Sequence, residues 1–309
     1  MSVDIESKFV GGLIGTGIGD GLGRNREGYS MVDSGKIVEI GKKSNKLIYT
    51  DDTQQMIGLT ESLIHSKGFD GKDFANRLVQ NFDISRGYGS GAIQVIRSLK
   101  DTSEWKEPAK RLFGGEGSYG NGSSMRIAPI GLFKYDDLES LSELAISSSK
   151  VTHTHRLGVE GAKLQALSVG LAVGKDPKEG IDKQNFIKRL SEFIDENIYL
   201  EKLELIRSLV EKNIDKRKVI KDLGNGVEAY NSVPTALYSF LSNSGNFRDS
   251  VAYGISLGGD ADTIGAMTGA ISGAYHGKKG IPKDWKSKLE NKDKIISLAK
   301  KLMKTKKEI

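Results

Sequence analysis

Two short acidic clusters carry the residue types best suited to chemistry: Thr50-Asp51-Asp52-Thr53 and Asp260-Ala261-Asp262-Thr263, each pairing two carboxylates with threonine hydroxyls. Each stands at the start of a predicted helix. Met56, Leu59 and Leu63 follow the first cluster at helical spacing, and Gly258-Gly259 leads into the second. Singly, either reads as a helix N-cap with a second carboxylate complementing the dipole. The same arrangement twice asks for more. Brought together with Glu27, Asp51, Asp52, Asp260 and Asp262 would put a formal charge of −5 in one pocket. Several of these groups would then hold protons unless cations compensated them. Two divalent ions supply that compensation, and an all-oxygen ligand set suits Mg²⁺, Mn²⁺ or Ca²⁺ rather than zinc. Such a pair, roughly 3.5–4 Å apart, orients a substrate oxygen and activates water. The clusters lie more than two hundred residues apart, so their meeting is an expectation about the fold.

The elements that must position them are mainly helical. Leu157, Leu164, Leu167 and Leu171 recur at helical spacing after His153-Thr154-His155, and Phe186–Leu209 is a further amphipathic stretch. Strand-like alternation is short, with Ile37–Ile40 and Leu47–Tyr49 the best examples. Five scattered prolines, with no low-complexity linker or fixed-period repeat, predict one domain over residues 1–309. The 38 glycines cluster in Gly11–Gly23, Gly87–Gly91, Gly114–Gly122 and Gly254–Gly277. Gly265, Ala266, Gly269, Ala270, Gly273 and Ala274, near helical spacing, predict a close helix–helix approach. Glycine-rich loops instead leave backbone N–H groups free to meet a phosphate.

Other chemistries are excluded. With no cysteine, thiol nucleophiles, iron–sulfur clusters and cysteine-based zinc sites are impossible, and a reducing, cytoplasmic setting is expected. Gly15-Thr16-Gly17-Ile18-Gly19 does not give G-x-G-x-x-G, and Gly277-Lys278 lacks the Walker A spacing. His65, His153, His155 and His276 form no H-E-x-x-H motif. No signal peptide is visible, and the run Thr263–Tyr275 is too short and glycine-rich to span a bilayer, so a soluble protein is expected. Net charge is +6, but the lysines of Lys278–Lys306 alternate with acidic and apolar residues, the pattern of a solvated helix face rather than a nucleic-acid groove. A basic surface still helps recruit a polyanionic substrate.

Five motifs in order resemble the ADP-ribosylhydrolase (ADP-ribosylglycohydrolase) family. They are Gly19-Asp20-Gly21-Leu22-Gly23 with Glu27, Tyr49–Thr53, Ser118–Arg126, Thr152-His153-Thr154-His155, and Gly258–Ala266, and together they cover residues 6 to 290. Within the family, Arg86–Gly91, Gly117–Gly122, Leu157–Leu167 and Leu223–Leu241 are similar to the branch acting on serine-linked ADP-ribose, poly(ADP-ribose) and O-acetyl-ADP-ribose. The arginine-specific branch usually has an acidic residue where Ser118 stands. Arg156 replaces a proline common after the second histidine. The resemblance implies an all-α, single compact multi-helix domain with a central dinuclear cleft holding two Mg²⁺ or Mn²⁺ ions. Their ligands would be Thr50, Asp51, Asp52, Asp260, Asp262 and Thr263, with Glu27 on a mobile loop beside them. ADP-ribose would rest on Gly89, Ser90, Gly91, Phe113, Gly117, Ser118, Tyr119, Gly120, Asn121 and His153.

That placement suits the ligand's chemistry. Glycine-rich backbone meets a pyrophosphate, and Phe113 and Tyr119 flank the adenine. Carboxylates stabilise oxocarbenium character at the anomeric carbon, where a water deprotonated with help from Glu27 or Asp260 attacks. Arg126 is expected in a buried ion pair or cap, Asp20 bracing the glycine-rich turn, and His65 and His276 in structural roles. The competing readings are an arginine-linked substrate, a non-catalytic ADP-ribose-binding module, a two-metal nucleotide pyrophosphohydrolase and a structural lens-type relative. A monomer is expected, with no membrane or specific nucleic-acid partner.

Overall fold

Helix Ile5–Gly23 and helix Ala261–Gly280 run antiparallel through the middle of the protein, and glycine decides how closely. A Cβ on Gly11, Gly15 or Gly19 would collide with the carbonyl oxygen of Gly273, Gly269 or Gly265 respectively, and the reverse substitutions meet the reciprocal carbonyls. Glycine every fourth residue on both helices thus removes the side chains that would separate the backbones. The expectation of a close helix approach at Gly265, Gly269 and Gly273 is met, and the rejected dinucleotide-like glycines at Gly15 and Gly19 are their partners. Both helices are almost wholly buried, so they lack the one-sided apolar stripe of a surface helix.

The computed structural model describes residues 3–102 and 104–309. Among these the fold is all-α, and extended pairing is limited to isolated bridges between Leu47 and Leu289 and between Gly120 and Glu228. Around the central pair pack helices Arg156–Val173, Ala229–Ser242 and Phe247–Ser256, while Lys292–Lys307 lies against the first helix and against Asp51–Ser66. One continuous apolar core joins them, from Phe9 to Leu302. No helix among the described residues is long and apolar enough to cross a membrane.

Two local expectations are corrected. Ile37–Ile40 lies inside helix Ser34–Lys43, not in a strand: the Asp33 carboxylate caps that helix at Gly35 N, and Ile37 and Gly41 are its buried residues. Phe186–Leu209 is two helices, Lys183–Ser191 and Asn197–Leu209, broken where Phe193–Glu196 leaves helical geometry. The C-terminal lysines behave as a solvated face, with Ile295, Leu298, Ala299 and Leu302 turned inward.

The antiparallel register has a functional consequence. It sets the C-terminal end of the first helix, with Asp20, beside the N-terminus of the Ala261 helix, with Asp260 and Asp262. Gly23 lies against Asp262 so closely that a Cβ would strike its backbone.

Candidate active site

Asp20 brings in the second acidic cluster. Its Oδ1 accepts from Thr50 N at 2.8 Å and lies 2.9 Å from the Thr50 hydroxyl, while Oδ2 accepts from Thr53 N at 3.0 Å and from the Thr53 hydroxyl. The Asp51–Ser66 helix is therefore capped from another helix, and Thr50, in the N-cap position, makes no side-chain cap of its own. Asp260 likewise occupies an N-cap position without capping its helix. Neither N-cap side chain caps its helix, although Asp262 Oδ1 accepts from Thr263 N at 3.0 Å, so capping by itself does not account for the two clusters. Asp20 braces the Asp51 helix rather than the glycine-rich turn. Although its carboxylate falls within 4.8 Å of those of Asp52 and Asp262, its oxygens are already engaged, so positioning is its role.

Gly258 and Gly259, at φ of 71° and 66°, turn the chain into Asp260 through left-handed geometry that a side chain resists. They have no room for one either, packing on the backbones of Tyr29–Met31 and on Asn225. Asp260 N donates to Asn225 O at 2.8 Å, Gly28 N to Gly259 O at 2.8 Å, and Gly259 N to Tyr29 O at 3.0 Å. The last two bonds tie the Glu27 loop to the second cluster immediately after Glu27.

The result is one cleft of about 260 Å³ with Glu27, Asp51, Asp52, Asp260, Asp262 and Thr263 in its wall and no lysine or arginine lining it. Glu27, Asp260 and Asp262 also converge within 4.8 Å of one another. Burial raises every one of these carboxyl pKa values. Asp51 reaches about 7 through burial and then Asp20, and Asp20 reaches about 6 through burial, opposed by its threonine hydrogen bonds. Asp52 and Asp262 lie well above the ordinary range, through burial and then through Asp20 and Asp260 respectively. Asp260 and Glu27 are raised as well, Glu27 by burial and then by Asp260. Asp52 Oδ1 is buried with no hydrogen-bond partner. A buried, unpartnered carboxylate oxygen among like charges fits a cation ligand, and the all-oxygen donor set fits a hard divalent ion.

The opposite wall is built from loops. Asn121 Nδ2 donates to Asp260 Oδ2 and, at 2.9 Å, to Ser232 Oγ. Asn121 N donates to Val227 O at 2.9 Å, and Ala229 N to Tyr119 O at 3.0 Å, so the Ser118–Asn121 turn is stitched to the start of the Ala229 helix. Gly89, Ser90, Gly91, Phe113, Ser118, Gly120, Asn121 and His153 all line the cleft, as expected. Phe113 is 63 % exposed and sits at φ 51°, strained for a residue with a side chain. An aromatic ring held open to the cleft in that way favours a stacking partner.

Three expected contacts stand apart from the lining. Gly117 faces away, toward Thr154. The Tyr119 ring packs edge-on against His155 at 5.6 Å and beside Tyr230, outside the cleft. Thr50 lies behind it, its hydroxyl 2.9 Å from both Asp20 and Asp52. The Asp51 carboxylate lines the cleft but accepts from Gln55 Nε2 at 2.8 Å. His155 caps the Arg156–Val173 helix through Nδ1 and Leu157 N, so Arg156 leaves the loop intact and pairs with Glu196 at the surface. Among the described residues Arg126 makes no ion pair, and its hydrogen-bond partners are neutral.

Sequence reasoning passed over Gln55, Asn225 and Val227. Gln55 had a signal, four residues after Asp51 on the same helix face. Asn225 and Val227 sit in a loop whose pairing only the fold creates.

Residues 1–308 of the chain match the family profile described as ADP-ribosylglycohydrolase. The chain belongs to the ADP-ribosylglycohydrolase family. It is 34 % identical to ADP-ribosylhydrolase ARH3 of Homo sapiens, over 96 % of this chain and 93 % of that protein. It is 36 % identical to the ARH3 of Xenopus tropicalis, over 92 % and 91 %. A solved structure titled "ADP-ribosylglycohydrolase-related protein complex" shares the fold, with a TM-score of 0.74, 24 % identity, and coverage of 98 % of this chain and 99 % of that one. This ADP-ribosylglycohydrolase is a glycosidase-type hydrolase, and its family's metal dependence agrees with the acidic cleft.

Proposed function

We propose that the protein hydrolyses the glycosidic bond at the anomeric carbon of ADP-ribose in a Mg²⁺-dependent reaction. Its substrates on this reading are ADP-ribosylated protein, with serine linkage favoured, poly(ADP-ribose) and O-acetyl-ADP-ribose. The observation that carries the reading is the unpartnered buried Asp52 oxygen in a five-carboxylate cleft whose other wall is glycine-rich loop and an open phenyl ring.

Asp51, Asp52, Asp260 and Asp262 would hold the ions, with Thr50 and Thr263 as further oxygen donors. Two Mg²⁺ ions, or Mn²⁺, would supply Lewis-acid polarisation and offset most of the cleft's negative charge when bound. Asn121 holds Asp260 in place, and Gly89–Gly91 presents backbone to a pyrophosphate. Phe113 stacks on the adenine. Glu27, with its carboxyl pKa raised by burial and by Asp260, is suited to accept a proton from the attacking water at working pH. The water oxygen then bonds to the anomeric carbon, the bond to the leaving oxygen breaks, and that oxygen takes up a proton. A recess of about 340 Å³ shares Glu27, Val227 and Asp260 with the cleft and is otherwise formed by Gly28, Asn225, Gly226 and Gly259. Neutral Ser118, where the arginine-specific branch usually has an acidic side chain, supports the serine preference.

The test is release of ADP-ribose from serine- and arginine-linked peptides and from poly(ADP-ribose), with Mg²⁺ and with chelator. Release from arginine alone overturns the linkage preference. AMP as product identifies a pyrophosphohydrolase, and bound but uncleaved ADP-ribose a binding module.

A further inference from the structure

Behind the cleft a fully buried guanidinium connects the acidic cluster to the histidine of the opposite wall. Arg126 Nη1 donates to Gln55 Oε1 at 2.7 Å, and Gln55 Nε2 donates to Asp51 Oδ2 at 2.8 Å. Arg126 Nη2 lies 2.7 Å from Thr152 Oγ1, which lies 2.7 Å from His153 Nδ1. The cation also stacks over Phe74, 5.0 Å from the ring centroid.

A guanidinium has donors and no acceptor, so it gives each arm a direction. On one arm it requires the Gln55 oxygen, which turns the Gln55 NH₂ toward Asp51. On the other, Thr152 Oγ1 accepts from Arg126 and has one proton left, and only the His153 ring nitrogen is placed to take it. Leaving that buried proton without an acceptor is costly, which favours His153 Nδ1 as an unprotonated acceptor, and a neutral ring then carries its hydrogen on Nε2. Nε2 is the side of the ring toward Gly120 and Gly122 in the cleft wall. Burial and the neighbouring Arg126 charge push the His153 pKa down to about 3, in keeping with a neutral ring.

We infer that Arg126 is a positioning residue that, through Thr152, locks His153 as the neutral Nε2–H tautomer and so presents a hydrogen-bond donor to the cleft, while orienting Gln55 to hold Asp51. The group it serves is an acceptor oxygen of the ligand, a phosphate or ribose oxygen on the ADP-ribose reading, on which this last step rests.

Long-range ¹H–¹⁵N spectra of the histidine rings test the tautomer without any ligand, with His153 assigned by comparison with a His153→Asn variant. The expected spectrum is a neutral Nε2–H ring from pH 5 to 8. An Nδ1–H ring or an imidazolium at neutral pH overturns the inference. Arg126→Gln risks misfolding, so the relay is cut at Thr152. Thr152→Val is expected to populate the Nδ1–H tautomer, to let the ring titrate nearer its ordinary range, and to weaken ADP-ribose binding about tenfold. Thr152→Ser keeps the hydroxyl and restores both, whereas a packing role for the threonine methyl would make serine the worse variant. Unchanged tautomer and affinity in Thr152→Val overturn the relay. Wild-type protein with the expected tautomer but no affinity for ADP-ribose overturns the functional reading and the ligand step, and leaves the tautomer assignment standing.

Discussion

The carboxylates are individually unfavourable where they sit, and that is what makes them informative. A buried carboxyl with a raised pKa favours the protonated folded state, so in the absence of metal its contribution to stability declines as pH rises from the ordinary carboxyl range through the folded value. For Asp51 that window runs from its ordinary value of 3.8 to about 7. Asp52→Asn removes one such charge. It is expected to raise the melting temperature of the metal-free protein at pH 8 and to abolish the rise that Mg²⁺ causes in the wild type, both read by thermal denaturation with and without chelator. Glu27 touches the reaction rather than the stability. Glu27→Gln should lower kcat about a hundredfold while calorimetry finds ADP-ribose affinity unchanged; full turnover in that variant removes Glu27 from catalysis. Phe113 is held open to the cleft by a strained backbone, so Phe113→Ala should weaken ADP-ribose binding roughly tenfold, the size of a base–aromatic stack, with Mg²⁺ binding intact.

Among the elements, the central helix pair matters most, because its register decides which residues meet. Gly15 faces Gly269 with no room for a Cβ, so Gly15→Val must separate two helices packed backbone to backbone. A loss of roughly 3 kcal/mol is expected by denaturant unfolding. The same change should weaken Mg²⁺ binding, since the register also sets Asp20 and Gly23 against the Asp262 turn. Gly245, which has nothing within 4 Å of a built Cβ, is the control: Gly245→Ala should alter neither. Asp20 links this pair to the Asp51 helix as a cap borrowed from elsewhere in the chain. That explains why a helix beginning with two aspartates uses neither for its own N-terminus.

Across the whole molecule, a chain with net charge +6 gathers five carboxylates into one cleft, so the strength of the negative field at the site depends on bound ions. Divalent ions must displace the protons that the raised carboxyls hold. Their stabilisation of the fold should therefore be larger at pH 8 than at pH 5, measured as the Mg²⁺-induced shift in melting temperature. An equal shift at both pH values would mean that ions bind away from this cluster. ADP-ribose, itself anionic, should bind more weakly when chelator leaves the carboxylates uncompensated.

The helical class, the two acidic clusters, the family motifs and the close glycine packing are all legible along the chain. Each is written in residue types at short spacing: Met56, Leu59 and Leu63 after Asp51-Asp52, or Gly265, Gly269 and Gly273 along one helix. Local periodicity is a property of neighbours in the chain and can be read there. Ile37–Ile40 misled because four residues of alternation suit a strand and a half-buried helix alike, and only the Asp33 cap and the core-facing Ile37 and Gly41 separate the two. The tertiary structure alone decided what the clusters are free to do. That Asp20 caps the Asp51 helix, that Asn225 supports Asp260, that Tyr119 packs on His155 outside the cleft, and that Arg126 joins Gln55 to Thr152 are contacts between distant segments. Their energies depend on distance, direction and exclusion of water, none of which spacing along the chain records.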